Sequence, residues 1–246
     1  MLKYIERELR NSCKDGLAQV ISGVHATLGK DFSFPSSEQT VSLEDATREY
    51  KNNPNNPELL TQFMYTFWRE AGQRIGKDYT VSKFSLKSKE IKERIKNGQM
   101  AIFVPDGLNR VDLGRMFPKM ESWAVQEKNS AVDTVDNFGW LWIEASVDAQ
   151  NRSTTQRQLE KKFKKEKKQG QSLRSYIVGG QISKLLIDKY FDEGLIWSIL
   201  LGSCDEDEFI VANFFPRGFL RVSLYGGSPL GRPEDVYGRS EEVIKP

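Results

Sequence analysis

Apolar residues recur at three- and four-residue steps through the first hundred positions, and at two-residue steps through much of the rest. That change of period predicts an α+β protein: a mainly helical region over 1–98, then a mixed region over 99–246. Ile5, Leu9, Cys13, Leu17, Val20, Ile21, Val24 and Leu28 keep helical spacing, and Gly29 is placed to end that element in the left-handed conformation. Ser33 to Pro57 has a linker composition, with one short helix expected near Leu43 to Tyr50.

The strongest helical pattern runs from Pro57 to Ile75. Asn56 can cap it, Pro57 suits the first turn, and Glu58 suits the positive end of the dipole. Leu59, Leu60, Phe63, Met64, Phe67, Trp68, Ala71 and Ile75 fall on one half of the cylinder. At about 1.5–3 kcal/mol for each large buried side chain, this helix belongs to the core. A charged helix over Ser85 to Asn97 turns only Leu86, Ile91 and Ile95 inward, and Gly98 stops it.

Met100 to Val104 reads as a buried strand ending in the turn Pro105-Asp106-Gly107. A short helix over Leu108 to Met116 stops before Pro118, and Trp123 to Gln126 reads as a short strand. Phe138 to Ala145 alternates, with Trp140 and Trp142 on one face and Leu141, Ile143 and Ala145 on the other. Ser153-Thr-Thr-Gln156 fits a capping box before a lysine-rich helix that reaches about Lys168. A further helix over Leu173 to Tyr190 contains Gly179-Gly180, where a kink, a break or a close packing contact is expected. The end reads as a three-stranded antiparallel meander: Trp197 to Leu201, Phe209 to Phe215 and Phe219 to Tyr225. Gly226 to Pro246 reads as an irregular tail.

Charge changes the picture. The whole chain carries a net +2, yet Arg152 to Lys189 holds eleven Lys or Arg against three acids. Phe191 to Glu208 then holds six acids and neither Lys nor Arg. Such segregation points to a surface that meets a polyanion or an acidic partner. The candidate residues are Arg157, Lys161, Lys162, Lys164, Lys165, Lys167 and Lys168, with Arg174 and Lys184 as neighbours. Glu160 to Lys164 is a favourable spacing, whereas Lys161–Lys165 and Lys164–Lys168 repel by a few tenths of a kcal/mol each. The chain holds no Cys₂His₂, homeodomain or RNA-recognition pattern.

Other chemistry is thinner. Phe138, Trp140, Trp142 and Glu144 share a strand face, and aromatics beside a carboxylate can hold a sugar or a base; against a helix they fill a core instead. Asp106, Asp112, Glu144 and Asp148 are the acids that could serve a metal-assisted hydrolase or nuclease. The one histidine, His25, gives little for nucleophilic catalysis or a histidine metal site. Cys13 and Cys204 lie far apart and are expected as reduced thiols, consistent with a cytoplasmic location. The glycine-rich run Gly226 to Arg232 lacks the strand–loop–helix context of a phosphate-binding loop. No run approaches the ~20 apolar residues of a membrane span, so no membrane partner is expected. The leading expectation is a soluble, intracellular, non-enzymatic protein, without cofactor or metal, that binds nucleic acid or an acidic protein through its lysine-rich helix. The competing expectations are the carboxylate-dependent hydrolase and a subunit of a protein assembly, with an oligomer as its sign.

Overall fold

A computed structural model describes residues 41–117, 119–120, 122–151, 155–194, 196–206, 208–225 and 236–244. The expected first helix, with Cys13 and His25, and the glycine-rich run Gly226 to Arg232 lie outside the described residues.

Helix α1, Leu43–Asn52, starts where Ser42 accepts from the Asp45 N–H at 3.1 Å. Helix α2, Pro57–Gln73, is capped by Asn56, whose side chain accepts from the Glu58 and Leu59 N–H groups. Leu60, Phe63, Met64, Phe67, Trp68 and Ala71 are buried, as their spacing predicts. The Trp68 indole donates to the Phe103 carbonyl at 2.9 Å and pins α2 to the first strand. Helix α3, Ser88–Lys96, buries Ile91 and half-buries Ile95.

The rest is two sheets around one long helix. Strands β1, Gln99–Val104, and β3, Gly139–Glu144, pair antiparallel with Gln99 opposite Glu144 and Val104 opposite Gly139. Helix α4, Arg110–Met116, and strand β2, Val132–Asp133, lie between them in sequence. The segment at Trp123 is a 3-10 turn, Trp123–Val125, and not the expected strand; its indole donates to the Val222 carbonyl at 3.1 Å, which a single turn allows. Helix α5, Gln156–Glu166, is the lysine-rich helix, and strand β4, Gln169–Gly170, follows it. The capping box is Thr155 with Gln158, two residues later than Ser153 predicts.

Helix α6, Leu173–Ile187, is buried along most of its length. Its glycine pair makes close packing contacts within a continuous helix. A Cβ on Gly179 would come 2.4 Å from Ile143 Cδ1, and one on Gly180 would come 2.4 Å from Phe214 Cε2. Both sheets therefore approach α6 at its glycines. The meander forms as predicted, from β5, Trp197–Asp205, β6, Glu208–Phe214, and β7, Leu220–Tyr225.

The C-terminal segment departs from expectation. Residues past 235 form two strands, β8, Val236–Gly238, and β9, Ser240–Val243. Strand β8 pairs parallel with β5, whereas β9 sits between β3 and β4, giving a sheet order β1-β3-β9-β4. The second sheet runs β2-β5-β6-β7 with β8 alongside β5. Arg239, the single residue between β8 and β9, carries the chain from one sheet to the other and is fully buried. A run this short and this charged shows no apolar period, so the pattern gives no strand there. One apolar cluster joins α1, α2, both sheets and α6. All described residues belong to one compact unit.

Candidate nucleic-acid interface

Helix α5 is held by a narrow seam. Leu159 and Phe163, four residues apart, are buried against Ile199 of β5 and Val211 of β6, in a cluster separate from the main core. Gly238 is needed beneath it, since a Cβ there would come 2.5 Å from the Leu159 methyls. At about 100° per residue, Arg157, Lys161, Lys164 and Lys165 lie about 120–180° around the helix from that seam. They are exposed, as is Lys167 just past the helix end. Among the described residues no carboxylate pairs with any of these five.

The remaining cations of the sequence reading differ. Lys162 lies on the flank, donates to the Asn151 side chain and sits 3.9 Å from Glu166. Lys168 pairs with Glu166 at 3.0 Å. Arg174 does not join the exposed face. Its guanidinium is buried in the first turn of α6, paired with Asp133 at 3.3 Å and Asp136 at 3.1 Å and stacked 4.5 Å from the Phe138 ring centre. Lys184 pairs with Asp188 at 2.7 Å, one turn along α6. Two acids of the following segment are engaged elsewhere: Asp192 with Arg239, and Glu193 with the Tyr190 N–H.

Beside the C-terminal end of α5 lies a cleft of about 520 Å³. Lys167 and Gln169 form one bank, Leu86 and Arg94 the other, and Trp142 and Ile244 line it between. Arg94 forks onto Glu242 at 2.7 and 2.9 Å and lies 5.6 Å from the Trp142 ring centre. This hydrogen-bonded pair raises Arg94 above its ordinary range and lowers Glu242. Glu241 also reaches the cleft wall, but its carboxylate turns inward. It accepts from the Ser175 hydroxyl, the Ser172 N–H at 3.1 Å and the Asn137 amide at 2.7 Å. Burial pushes Glu241 above the usual carboxylate range despite those bonds.

Both tryptophans are core, Trp142 (2 % exposed) more deeply than Trp140. Trp140 donates to the Ser82 carbonyl and meets Phe84 and Phe103 edge-on, at 4.7 and 5.2 Å between ring centres. Asp106 and Glu144, two of the acids considered for hydrolysis, are kept apart. Asp106 lies in the turn beyond Val104, whereas Glu144 pairs at the far end of the same ladder, roughly 17 Å away at ~3.4 Å per residue. Glu144 accepts from Asn151 and Ser240 in the interior. Asp112 is buried 2.7 Å from the Lys77 ammonium. Among the described residues no three His, Cys, Asp or Glu side chains gather as a metal site would require, and no helix is long and apolar enough to cross a membrane.

Periodicity missed two features. The cleft assembles residues from α3, β3, β4 and β9, which only the strand order brings together. The other feature is the fully buried Arg239–Asp192 pair, for which the sequence has no signal. Comparison of the chain with protein-family models, curated proteins and solved structures finds no match.

Proposed function

We propose that this protein works by binding, and that the outer face of α5 is its contact with the phosphate backbone of a nucleic acid. One observation carries the reading: five cations, Arg157, Lys161, Lys164, Lys165 and Lys167, stand exposed on or beside one helix without a carboxylate partner among the described residues. Like charges four residues apart weaken a helix, and a polyanion relieves that repulsion while releasing its own counterions. The seam of Leu159 and Phe163 leaves the cationic side clear of the core.

The test is titration of labelled oligonucleotides in rising salt. Replacing Lys161, Lys164 and Lys165 by Ala removes three phosphate contacts. The log–log salt slope should then fall by about 2 on a single strand, at ~0.7 per contact. Thermal unfolding of the triple variant should stay within about 0.5 kcal/mol of the parent, because nothing buried is touched. A parent protein that binds neither strand form at low salt refutes the reading. Binding of an acidic polypeptide in preference to oligonucleotides transfers it to a protein partner.

A further inference from the structure

We infer that the cleft between α3 and the β4–β9 edge continues the α5 face and selects single-stranded over duplex nucleic acid. The inference rests on the binding role proposed for α5 and names its ligand class. Lys167 belongs to both features: it ends the basic helix and forms a bank of the cleft. A strand whose phosphates follow α5 therefore arrives at the cleft without leaving cationic surface. Across the cleft stands Arg94, whose charge Glu242 balances, so among the described residues Lys167 supplies the free cation of the cleft.

The lining suits a base as well as a phosphate. Leu86, Val243 and Ile244 give an apolar surface on which the flat side of a base can rest. The two carboxylates present do not oppose an anion strongly, since Glu242 is neutralised by Arg94 and Glu241 points into the interior. A volume of about 520 Å³ has room for a base and its phosphate. A duplex keeps its bases stacked inside and offers a convex surface, so it can touch the rims but cannot place a base between them. An acidic peptide has the charge but no planar apolar group to fill the space.

Fluorescence anisotropy with a labelled 12-nucleotide strand, the same sequence as a duplex, and a polyglutamate of equal charge tests this. The single strand should bind at least tenfold more tightly than either competitor. Lys167 has φ of 55°, so Lys167→Asn removes the charge while keeping a residue that tolerates the left-handed backbone. That variant should weaken the single strand three- to tenfold and reduce its salt slope by about 0.7, while the duplex, which meets this ammonium only as part of the α5 face, should lose about twofold or less. Equal affinity for duplex, or equal loss on both forms in Lys167→Asn, overturns the cleft while leaving the α5 contact standing. Preference for polyglutamate overturns it in favour of an acidic peptide. Failure of the parent protein to bind anything at low salt removes the α5 reading and the cleft with it.

Discussion

Replacing Arg239 by Met should be among the most destabilising single changes this chain can suffer. The Arg239 guanidinium donates to Asp192 at 2.9 and 3.1 Å, to Ser198 at 3.2 Å and to the Ser146 carbonyl at 3.1 Å. It also donates to the Val147 carbonyl and stacks 4.2 Å from the Phe191 ring centre. Both charges are wholly out of solvent. Burial alone would lower the arginine; the charge and hydrogen bonds of Asp192 outweigh it and hold Arg239 above its ordinary range. With the cation gone, Asp192 keeps donors from Tyr176 at 2.9 Å, Ser198 at 2.6 Å and the Ala149 N–H at 3.2 Å, but no counter-charge. Breaking such a pair costs about 3–5 kcal/mol. That is a large part of the ~5–15 kcal/mol that holds a domain together. Urea unfolding measures it, and Asp192→Asn alone and with Arg239→Met completes the cycle. The double variant should fall short of additivity by about 2–3 kcal/mol. Hydrogen exchange should show β9 losing protection before the meander does. A loss below about 1 kcal/mol in Arg239→Met, or a strictly additive cycle, refutes the argument.

Two further outcomes follow from the interior. Gly180→Ala should cost about 1–3 kcal/mol by overpacking, because Phe214 is stacked between Tyr176 and Tyr190 and cannot swing away; a neutral effect in thermal unfolding contradicts the contact. Glu241 should make stability fall with rising pH. A carboxyl raised in the folded state binds its proton more tightly there, so its contribution is whole below the ordinary value of 4.5 and is lost as pH climbs through the folded value. Subtracting the pH–stability curve of Glu241→Gln from that of the parent isolates the effect, and a flat difference from pH 4 upward rejects it.

Local pattern found most elements and few of their consequences. The α2 helix was legible because three independent signals agreed: an Asn cap, a Pro at the first turn and an apolar face. The meander was legible because its turns are polar and its strands alternate. Capping chemistry located α5 but misplaced its start by two residues, since Ser153 and Thr155 each head an acceptable box. The tail failed for a physical reason. Its strands bury Arg239 and Glu241, which hydrophobic patterning assigns to solvent, and both are tolerated only because Asp192 and Ser175 lie opposite. Arg174 failed the same way: a cation near a basic helix in sequence is a core cation once β2 brings Asp133 beneath it. The exposed lysines of α5 were legible because two apolar positions fix the helix's rotation. The cleft was not, because it depends on β9 entering a sheet from the far end of the chain.

Those buried partners also change what the net charge means. Among the described residues the buried charged residues are four acids (Asp112, Glu144, Asp192 and Glu241) and two arginines, Arg174 and Arg239. The interior therefore removes, among the described residues, more negative than positive charge from the surface. The two acids that follow the basic segment most closely in sequence do not cancel it in space, because Asp192 pairs with Arg239 and Glu193 accepts from the Tyr190 N–H. A chain that is nearly neutral in sum can thus present a polyanion with a surface whose sign is set by which carboxylates the fold has taken inside. Mutating a buried acid and mutating an exposed lysine should for that reason have opposite consequences: the first threatens the fold, and the second lowers the field at α5 while leaving the fold intact.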